Sequence, residues 1–391
     1  MKIRAIELFI RERLLMPFVG RLFKRERVSK EYFLSFSPEK ILVSKIHHKI
    51  GDLLVETPVI TNLRHRFPSS KIDFISSDYN YPAIYNNKYL NKTYRFKKSL
   101  RLSFLVHNLN LLRVLRKERY DLGIVLSATA FSATNAMLVC LVNPKIIMGL
   151  RKPKQTLSIP QMLYNYGVPW PDGIHHRTQI SLRTINPIVP EPAFKDETIH
   201  FSYLEISEAK KLLMTEGDKT FVGIHAGGTR DNKIWKHDNY KALTGMLSKN
   251  DKLQLVIFAG MPDEEKIIHK IIAGLDQKPI IIGPFKHPSY KTFRTMIACI
   301  SNLDLFIGND TGTLHAAGAT GVPTIGIYTG SNPSRWKPLN RNVHALWNPE
   351  VEDVKTAIYS LLENKLHPQG KEINKHGNSA SVSAPAFSAI D

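Results

Sequence analysis

The 391-residue sequence has little cysteine and lacks several common catalytic motifs. Its two cysteines, Cys140 and Cys299, are too few for a disulfide framework or a zinc cluster. We therefore expect a reducing compartment and predict a cytoplasmic protein. The motifs G-x-x-x-x-G-K-[ST], H-E-x-x-H and C-x-x-C are absent, and no intact G-x-G-x-x-G follows a predicted strand. ATPase, zinc hydrolase and standard dehydrogenase functions lose support.

Acidic residues are scarce relative to basic ones. The chain has 34 Asp and Glu against 54 Lys and Arg, a formal net charge of +20. Such a balance favours an anionic partner, which can be nucleic acid, a membrane surface or a phosphorylated substrate. Because no nucleic-acid motif accompanies the basic residues, we predict no nucleic-acid partner.

The N-terminal segment, residues 1–40, has no uncharged core long enough for a signal peptide. It alternates apolar and basic residues at helical spacing. The pattern is typical of a helix on an anionic membrane surface, and equally of a solvated helix packed on the protein.

One long stretch, residues 122–144, carries no charge. Its middle contains five side chains that are costly against lipid: Ser127, Thr129, Ser132, Thr134 and Asn135. We predict a buried strand, a short loop and a helix here, not a membrane span.

Apolar strands alternate with helices in two separate series. "ILVSKI" and "KIDFISS" belong to the first, and "TFVGIH", "LQLVIF", "LDLFIGND" and "PTIGIYTG" to the second. Strands that are apolar throughout predict parallel sheets covered on both faces. We predict an α/β protein with two Rossmann-like domains facing a central cleft, joined by the proline-containing stretch 186–200. Ligands are expected at the carboxyl ends of the strands.

The predicted organisation has four parts. They are a basic N-terminal segment (1–40), a first Rossmann-like domain (41–190), a second (191–365) and a polar, disordered tail (366–391).

Polar residues follow several predicted strands. Asp52 precedes a helix, where a carboxylate is often a cap. In "HAGGTRDNKIW", Gly228 allows close backbone approach, Thr229 offers a hydroxyl, and Arg230 and Lys233 bring positive charge. These features together suit a phosphate or diphosphate, although a solvated basic turn has the same composition.

Three acidic residues, Asp263, Glu264 and Glu265, begin a helix after another strand. They either complement the helix dipole or supply a carboxylate for ribose hydroxyls, and the sequence does not choose among them.

The segment "NDTGTLHAAGATGVP" places Asp310 between a strand and a helix. Asp-Thr-Gly also marks aspartic proteases, but those need two such loops on an all-β frame or a dimer, whereas this triplet occurs once in a β/α series. Asp310 is predicted to accept from sugar hydroxyls, while the helix N-terminus receives phosphate.

Four stretches in order resemble the bacterial heptosyltransferase family, glycosyltransferase family nine, over residues 41–365. They are "IGDLLVETPVITNLRHRFPSSKIDFI", "YDLGIVLS", "GIHAGGTRDNKIWKHDNYKAL" and "NDTGTLHAAGATGVPTIGIYTGSNPSRWKPL". The resemblance implies the GT-B architecture, with the acceptor mostly on the first domain and the nucleotide sugar mostly on the second. It further implies inverting transfer of heptose from an ADP-activated donor to the lipopolysaccharide inner core.

The resemblance also implies roles for individual residues. Asp52 matches a general base, Lys233 a lysine that offsets charge on the departing diphosphate, and Thr229 a hydroxyl near the phosphates. The segment around donor sugar and phosphates is matched by Asp310, Thr311, Gly312 and His315.

We predict no required metal or cofactor beyond the ADP-sugar donor, because the diphosphate can be met by basic residues and a helix N-terminus. The expected location is the cytoplasmic face of the inner membrane, in peripheral contact with anionic lipid. Two alternatives stay open: a GT-B transferase for another nucleotide sugar, and a non-catalytic protein of the same fold that binds a sugar nucleotide or a polyanion.

Overall fold

The computed structural model describes residues 25–46, 49–97, 102–127, 132–151, 163–173, 175–214, 217–228, 230–286 and 289–366. The predictions for most of the N-terminal segment and for the tail lie outside the described residues.

Twelve strands form in the described part of the chain. They are β1 (Lys40–Lys45), β2 (Lys71–Ser77), β3 (Lys92–Phe96), β4 (Leu122–Val125), β5 (Ile146–Arg151), β6 (Tyr166–Pro169), β7 (Thr220–His225), β8 (Leu253–Phe258), β9 (Ile280–Ile282), β10 (Leu305–Asn309), β11 (Thr324–Tyr328) and β12 (Val343–Trp347).

Twelve α-helices accompany them in the same ranges. They are α1 (Ile50–Leu54), α2 (Thr57–Arg66), α3 (Leu102–Glu118), α4 (Ala133–Val142), α5 (Arg177–Arg183), α6 (Tyr203–Leu212), α7 (His237–Leu247), α8 (Glu265–Ile272), α9 (Tyr290–Ile300), α10 (Gly312–Thr320), α11 (Pro333–Trp336) and α12 (Val351–Leu366).

The strands form two six-stranded parallel sheets. The orders are β3-β2-β1-β4-β5-β6 and β12-β11-β10-β7-β8-β9. Each order reverses once, between β1 and β4 in the first sheet and between β7 and β10 in the second. Ligands of such sheets bind outside the carboxyl ends of the strands at this switch point. The α/β prediction with two Rossmann-like sheets is confirmed, while the domain boundary at 190/191 stays a prediction.

Four strands, β3, β5, β6 and β12, were not predicted from the sequence. Three of them, β3, β6 and β12, are edge strands with a neighbour on one side only, whereas β5 is a buried internal strand. The side chains of the three edge strands are largely intermediate or exposed, so these strands lack the continuous apolar run that marks the central strands. In particular, β12 follows β11, which the sequence pattern had predicted as the last strand.

The uncharged stretch 122–144 forms the predicted strand and helix, β4 and α4, with residues 128–131 outside the described part. Ser132 caps α4 by accepting from the Asn135 backbone N–H, and Asn143 ends it in the left-handed region at φ 65°. Among the described residues, no helix is both long enough and apolar enough to cross a membrane.

The connection between the sheets is an extended segment fixed to both of them. On the first side, Asn62 pairs with the backbone of Phe194, its amide donating to the carbonyl at 2.7 Å and its carbonyl oxygen accepting from the N–H at 3.2 Å. On the second side, Asn340 pairs in the same way with the backbone of Glu197. An apolar cluster of buried residues also runs from Leu53 and Leu54 to Leu314 and Ala317. The linker is therefore structured, and it carries its own side chains toward the cleft.

Candidate active site

Asp52 lies inside a helix, not before one. The chain leaves β1, and α1 begins at Ile50 with Lys49 as its N-cap. Asp52 is the third residue of α1 and is 7% exposed. The simple expectation that Asp52 occupies the cap position is therefore wrong, because the chain forms two short helices here, α1 and α2, and Asp52 lies within the first.

The start of α1 packs against the start of α10 from the second sheet. A Cβ atom on Gly51 would lie 3.2 Å from His315 Cδ2 and 3.4 Å from Gly312 Cα. Only glycines allow this approach without a shift of the neighbouring atoms. The contact places Asp52 of the first domain beside the Asp-Thr-Gly loop of the second.

Lys233 and Asp310 form an ion pair in the second half of the cleft. Lys233 ends a 3-10 turn after the glycine loop, and its Nζ lies 2.5 Å from Asp310 Oδ2. The same oxygen accepts a hydrogen bond from the Ser331 hydroxyl. Asp310 is buried, whereas the Lys233 side chain is 21% exposed. Lys233 can therefore meet an anion from the cleft while Asp310 fixes its position.

His315 is held between carboxylates. Its Nδ1 lies 2.9 Å and 3.0 Å from the two carboxylate oxygens of Glu197, and its Nε2 lies 4.0 Å from Asp310 Oδ1. Burial acts to lower the pKa of His315, but Glu197, Asp310 and Asp52 together raise it above its ordinary value. The surrounding carboxylates therefore stabilise the charged form of the His315 ring relative to an isolated histidine.

The N-terminus of α10 opens at the same place. Thr311 is the N-cap, with extended backbone, and Gly312 is the first helical residue. The Thr311 side chain does not cap the helix, and its buried Oγ1 has no hydrogen-bond partner among the described residues. Free backbone N–H groups and a free hydroxyl at one helix end suit a phosphate group.

The glycine loop after β7 lies against this end. A Cβ on Gly228 would lie 3.0 Å from Ile234 Cγ1 and 3.7 Å from Thr311 Cγ2. Asn309, buried at the end of β10, donates to the carbonyls of Ala226 and Gly227 at 3.0 and 3.1 Å. Asn309 thus ties the two central strand ends together, a role that the sequence analysis missed.

Among the three acidic residues after β8, the structure distinguishes one. Glu264 turns back and accepts from the backbone N–H groups of Gly260 and Met261 at 2.7 and 3.2 Å, and its Oε2 lies 3.6 Å from His225 Nε2. Burial acts to raise its pKa, but these partners lower it below the ordinary value. Asp263 and Glu265 are exposed on the surface.

The predicted site residues do not all converge. Asp52, Lys233, Gly228, Asp310, Thr311, Gly312 and His315 share the junction of α1, α10 and the glycine loop. Arg230 is exposed before the 3-10 turn, and Thr229 lies outside the described residues. Glu197 and Ser331 complete the cluster and were missed, because neither belongs to a motif and Glu197 comes from the linker.

No group of three or more His, Cys, Asp or Glu within the described ranges could hold a metal ion. The prediction that no metal is required stays a prediction.

Comparison with known proteins identifies relatives of the chain. The model of a family described as glycosyltransferase family 9 (heptosyltransferase) matches residues 108–366. Lipopolysaccharide heptosyltransferase 3 of Escherichia coli is 24% identical over 311 residues, which are 78% of this chain and 88% of that protein. The match to the family model includes the second-domain site residues and begins after Asp52.

Solved structures show the same fold. A glycosyltransferase family 9 structure from Veillonella parvula DSM 2008 has a TM-score of 0.72 at 17% identity, covering 83% of this chain and 97% of that one. E. coli heptosyltransferase WaaC with ADP has a TM-score of 0.68 at 15% identity, covering 82% and 99%. The predicted GT-B architecture is confirmed.

Proposed function

The chain belongs to glycosyltransferase family 9 and is a glycosyltransferase of the heptosyltransferase type; from that membership we propose that it transfers heptose from ADP-heptose to the inner core of lipopolysaccharide. The observation that carries the proposal is the junction itself. Asp52 of the first domain meets His315 and Gly312 of the second, with Lys233 and Asp310 alongside.

In the proposed reaction Asp52 is the general base. It takes the proton from an acceptor hydroxyl, and that oxygen attacks the anomeric carbon of the donor heptose from the face opposite the diphosphate. The new glycosidic bond forms as the bond to the diphosphate breaks, so the anomeric configuration inverts and ADP leaves.

The second domain is proposed to stabilise the leaving diphosphate. Lys233 supplies a fixed positive charge, and the free N–H groups of α10 with the Thr311 hydroxyl supply hydrogen bonds. Gly228, which lies against the start of α10, is proposed to border the same phosphates; contacts of Thr229 and Arg230 with them stay predictions. We propose that these groups together offset the charge that develops on ADP.

Glu264 is proposed to hold the ribose of the donor. Its carboxylate lies at the carboxyl ends of β7 and β8, and a Cβ on Gly227 would overlap Glu264 Oε1 at 1.8 Å. Gly227 therefore leaves the room that the carboxylate fills. Asp263 and Glu265 point to solvent and complement the start of α8.

Two relatives favour this donor and acceptor: lipopolysaccharide heptosyltransferase 3 of Escherichia coli, and heptosyltransferase WaaC, whose structure contains ADP. A transferase for another nucleotide sugar is the second candidate, because the phosphate contacts described above do not depend on the base or the sugar.

A thermal-shift titration with ADP, UDP, GDP and CDP tests the donor, since a ligand that binds only the folded state raises its stability. We expect selective stabilisation by ADP that is lost in Lys233→Ala. Selective stabilisation by another nucleotide would support the second candidate, and no response to any of the four would favour a protein that does not bind nucleotide sugars.

We also propose a peripheral location at the cytoplasmic face of the inner membrane, with α3 on the bilayer. Leu105, Val106 and Leu109 are 43%, 51% and 52% exposed on this first-domain helix. The exposed Arg113 and Lys117 continue the same face one and two turns later. Apolar and basic side chains on one exposed face suit an anionic lipid surface.

Vesicle sedimentation tests this contact. We expect the protein to pellet with vesicles that contain phosphatidylglycerol, and Leu105→Ser/Leu109→Ser to reduce the pelleted fraction. The matched control is Leu204→Ser/Leu212→Ser on α6 of the second domain, where the leucines are 65% and 48% exposed. An equal loss of the pelleted fraction in both variants, or no loss in either, would contradict the proposal that α3 contacts the membrane.

A further inference from the structure

The linker between the domains brings a buried carboxylate into the active site. Glu197 is 1% exposed and lies in the extended segment between α5 and α6. Its N–H donates to Asn340 Oδ1 at 3.0 Å, and its carbonyl accepts from Asn340 Nδ2 at 3.0 Å. These two bonds fix the backbone of Glu197, so its side chain has a defined direction.

That side chain meets one edge of His315. Both carboxylate oxygens of Glu197 lie within hydrogen-bond distance of Nδ1, at 2.9 and 3.0 Å. Burial raises the pKa of Glu197, although His315 acts to lower it. When the carboxylate is ionised it only accepts hydrogen bonds, and the contact then has its proton on Nδ1. The opposite nitrogen, Nε2, then faces Asp310 Oδ1 at 4.0 Å.

The charge around the ring is mostly negative. Glu197, Asp310 and Asp52 all raise the pKa of His315 against the effect of burial. Of the neighbouring basic groups, Lys233 is already paired with Asp310, and burial lowers the pKa of His176 to about 4, which leaves it neutral. Three more titratable groups lie on the elements around the His315 ring: Arg177, Lys337 and Tyr328.

We propose that Glu197 is a positioning residue for glycosyl transfer, which fixes the Nδ1–H of His315 and holds the ring as an imidazolium whose Nε2–H faces Asp310 at the start of α10. The role rests on the proposed function, since it places a second fixed cation beside Lys233 where the diphosphate would gain charge. Glu197 itself contacts no substrate and acts through His315.

Histidine NMR tests the proposal without any substrate. In full-length protein with ¹⁵N-labelled histidine, the His315 signals are assigned by their loss in His315→Gln. At neutral pH we expect both ring nitrogens of His315 to be protonated in the wild type and one of them to be unprotonated in Glu197→Gln. A neutral His315 in the wild type, or an unchanged ring in Glu197→Gln, would overturn the proposal.

The matched control is Glu205→Gln. Glu205 is another carboxylate at the domain junction, but it pairs with Arg294 and does not contact His315. Its replacement should leave the His315 signals unchanged, which separates a local effect from a general loosening of the junction. A change of the His315 signals in Glu205→Gln equal to that in Glu197→Gln would contradict a specific role of Glu197.

Steady-state kinetics with ADP-heptose and truncated lipopolysaccharide give the functional readout. We expect kcat to fall about tenfold in Glu197→Gln with little change in KM, and Glu197→Asp, which keeps the charge, to recover most of the rate. Equal kcat in the wild type and Glu197→Gln would overturn the proposal. If Glu197→Gln does not fold, the wild-type NMR spectrum and the rate of Glu197→Asp still test the role of Glu197.

If ADP-heptose is not the donor, the proposed function fails, whereas the NMR result still tests the role of Glu197.

Discussion

Asp310 shows how a motif residue acquires its role from partners elsewhere in the chain. The sequence pattern predicts a carboxylate that accepts from sugar hydroxyls, and the structure places it against Lys233 and Ser331. One carboxylate oxygen is occupied by these two partners, and the other faces His315 at 4.0 Å. We therefore expect any contact with a sugar to use the second oxygen, and we propose that Asp310 also orients Lys233.

The residues of the site differ in how far the sequence could predict them. Asp52, Lys233 and the Asp-Thr-Gly segment follow strands and belong to recognisable stretches. Glu197 follows no strand, and its contact with His315 joins positions 118 residues apart. Such a contact depends on the path of the linker, which local patterns do not specify.

At the residue scale, Glu264 gives a direct test of nucleotide binding. Glu264→Gln should weaken ADP binding about tenfold, because a hydrogen bond from a ribose hydroxyl to a charged group contributes roughly 1.5 kcal/mol or more. The measurement is isothermal titration with ADP. Glu265→Gln, one residue along and exposed, is the control and should bind ADP as the wild type does. Equal weakening in both variants would contradict the assignment of the ribose to Glu264.

Among the structural elements, most central strands were predictable, with β5 as the exception, and three of the four edge strands were not. β1, β7 and β10 are buried on both faces and read as continuous apolar runs. β3 and β12 contact a neighbour on one side only, and their sequences include exposed polar residues. The break between α1 and α2 was also unpredicted, and it decides where Asp52 lies.

The contact between α1 and α10 gives a prediction at the scale of elements. Gly51→Ala adds a methyl group 3.2 Å from His315 Cδ2 and 3.4 Å from Gly312 Cα, so the two helices must separate by a few tenths of an ångström. We expect kcat to fall by about tenfold or more, since small displacements of a catalytic group are costly, while ADP still binds. Steady-state kinetics and ADP titration measure the two effects.

Gly245→Ala provides the control for this substitution. Gly245 lies in α7, and a Cβ there would meet nothing within 4 Å. Replacing a helical glycine by alanine at an open site should raise stability by up to about 1 kcal/mol and leave kcat unchanged. Unchanged kcat in Gly51→Ala as well would show that the spacing of α1 and α10 does not matter for transfer.

At the scale of the whole molecule, Arg294 joins the two domains. Its guanidinium is 2% exposed on α9 of the second domain and donates to the carbonyls of Pro82 and Tyr85 in the first, at 2.9 and 3.2 Å. It also donates to the His200 carbonyl at 2.6 Å and to both carboxylate oxygens of Glu205. One side chain thus connects both domains, the linker and α6.

We expect Arg294→Met to lower the free energy of unfolding by roughly 3 kcal/mol, because it leaves buried carbonyls and a carboxylate without their partner. Urea unfolding measures the loss. The matched control is Lys291→Met on the exposed side of the same helix, which should change stability by less than about 0.5 kcal/mol. Similar stability of the two variants would contradict the joining role of Arg294.

The ion pair between Arg294 and Glu205 predicts that the stability of the protein depends on pH. Burial acts to raise the pKa of Glu205, but Arg294 and the Ser202 N–H lower it to about 2, from the 4.5 of an isolated glutamate. A carboxyl with a lowered pKa in the folded state stabilises the protein above its unfolded pKa and loses this effect as pH falls. The stability difference between wild type and Glu205→Gln should therefore be largest above pH 4.5 and shrink toward pH 2. A difference that is independent of pH would contradict the assignment.

We propose that the junction of the two domains forms a transferase site with Asp52 as its base. The most direct measurement is the rate of heptose transfer from ADP-heptose to truncated lipopolysaccharide by wild type and Asp52→Asn, with ADP titration of both proteins. We expect kcat to fall about 10²–10⁴-fold in Asp52→Asn, with ADP binding preserved. Transfer by Asp52→Asn at the wild-type rate would contradict it.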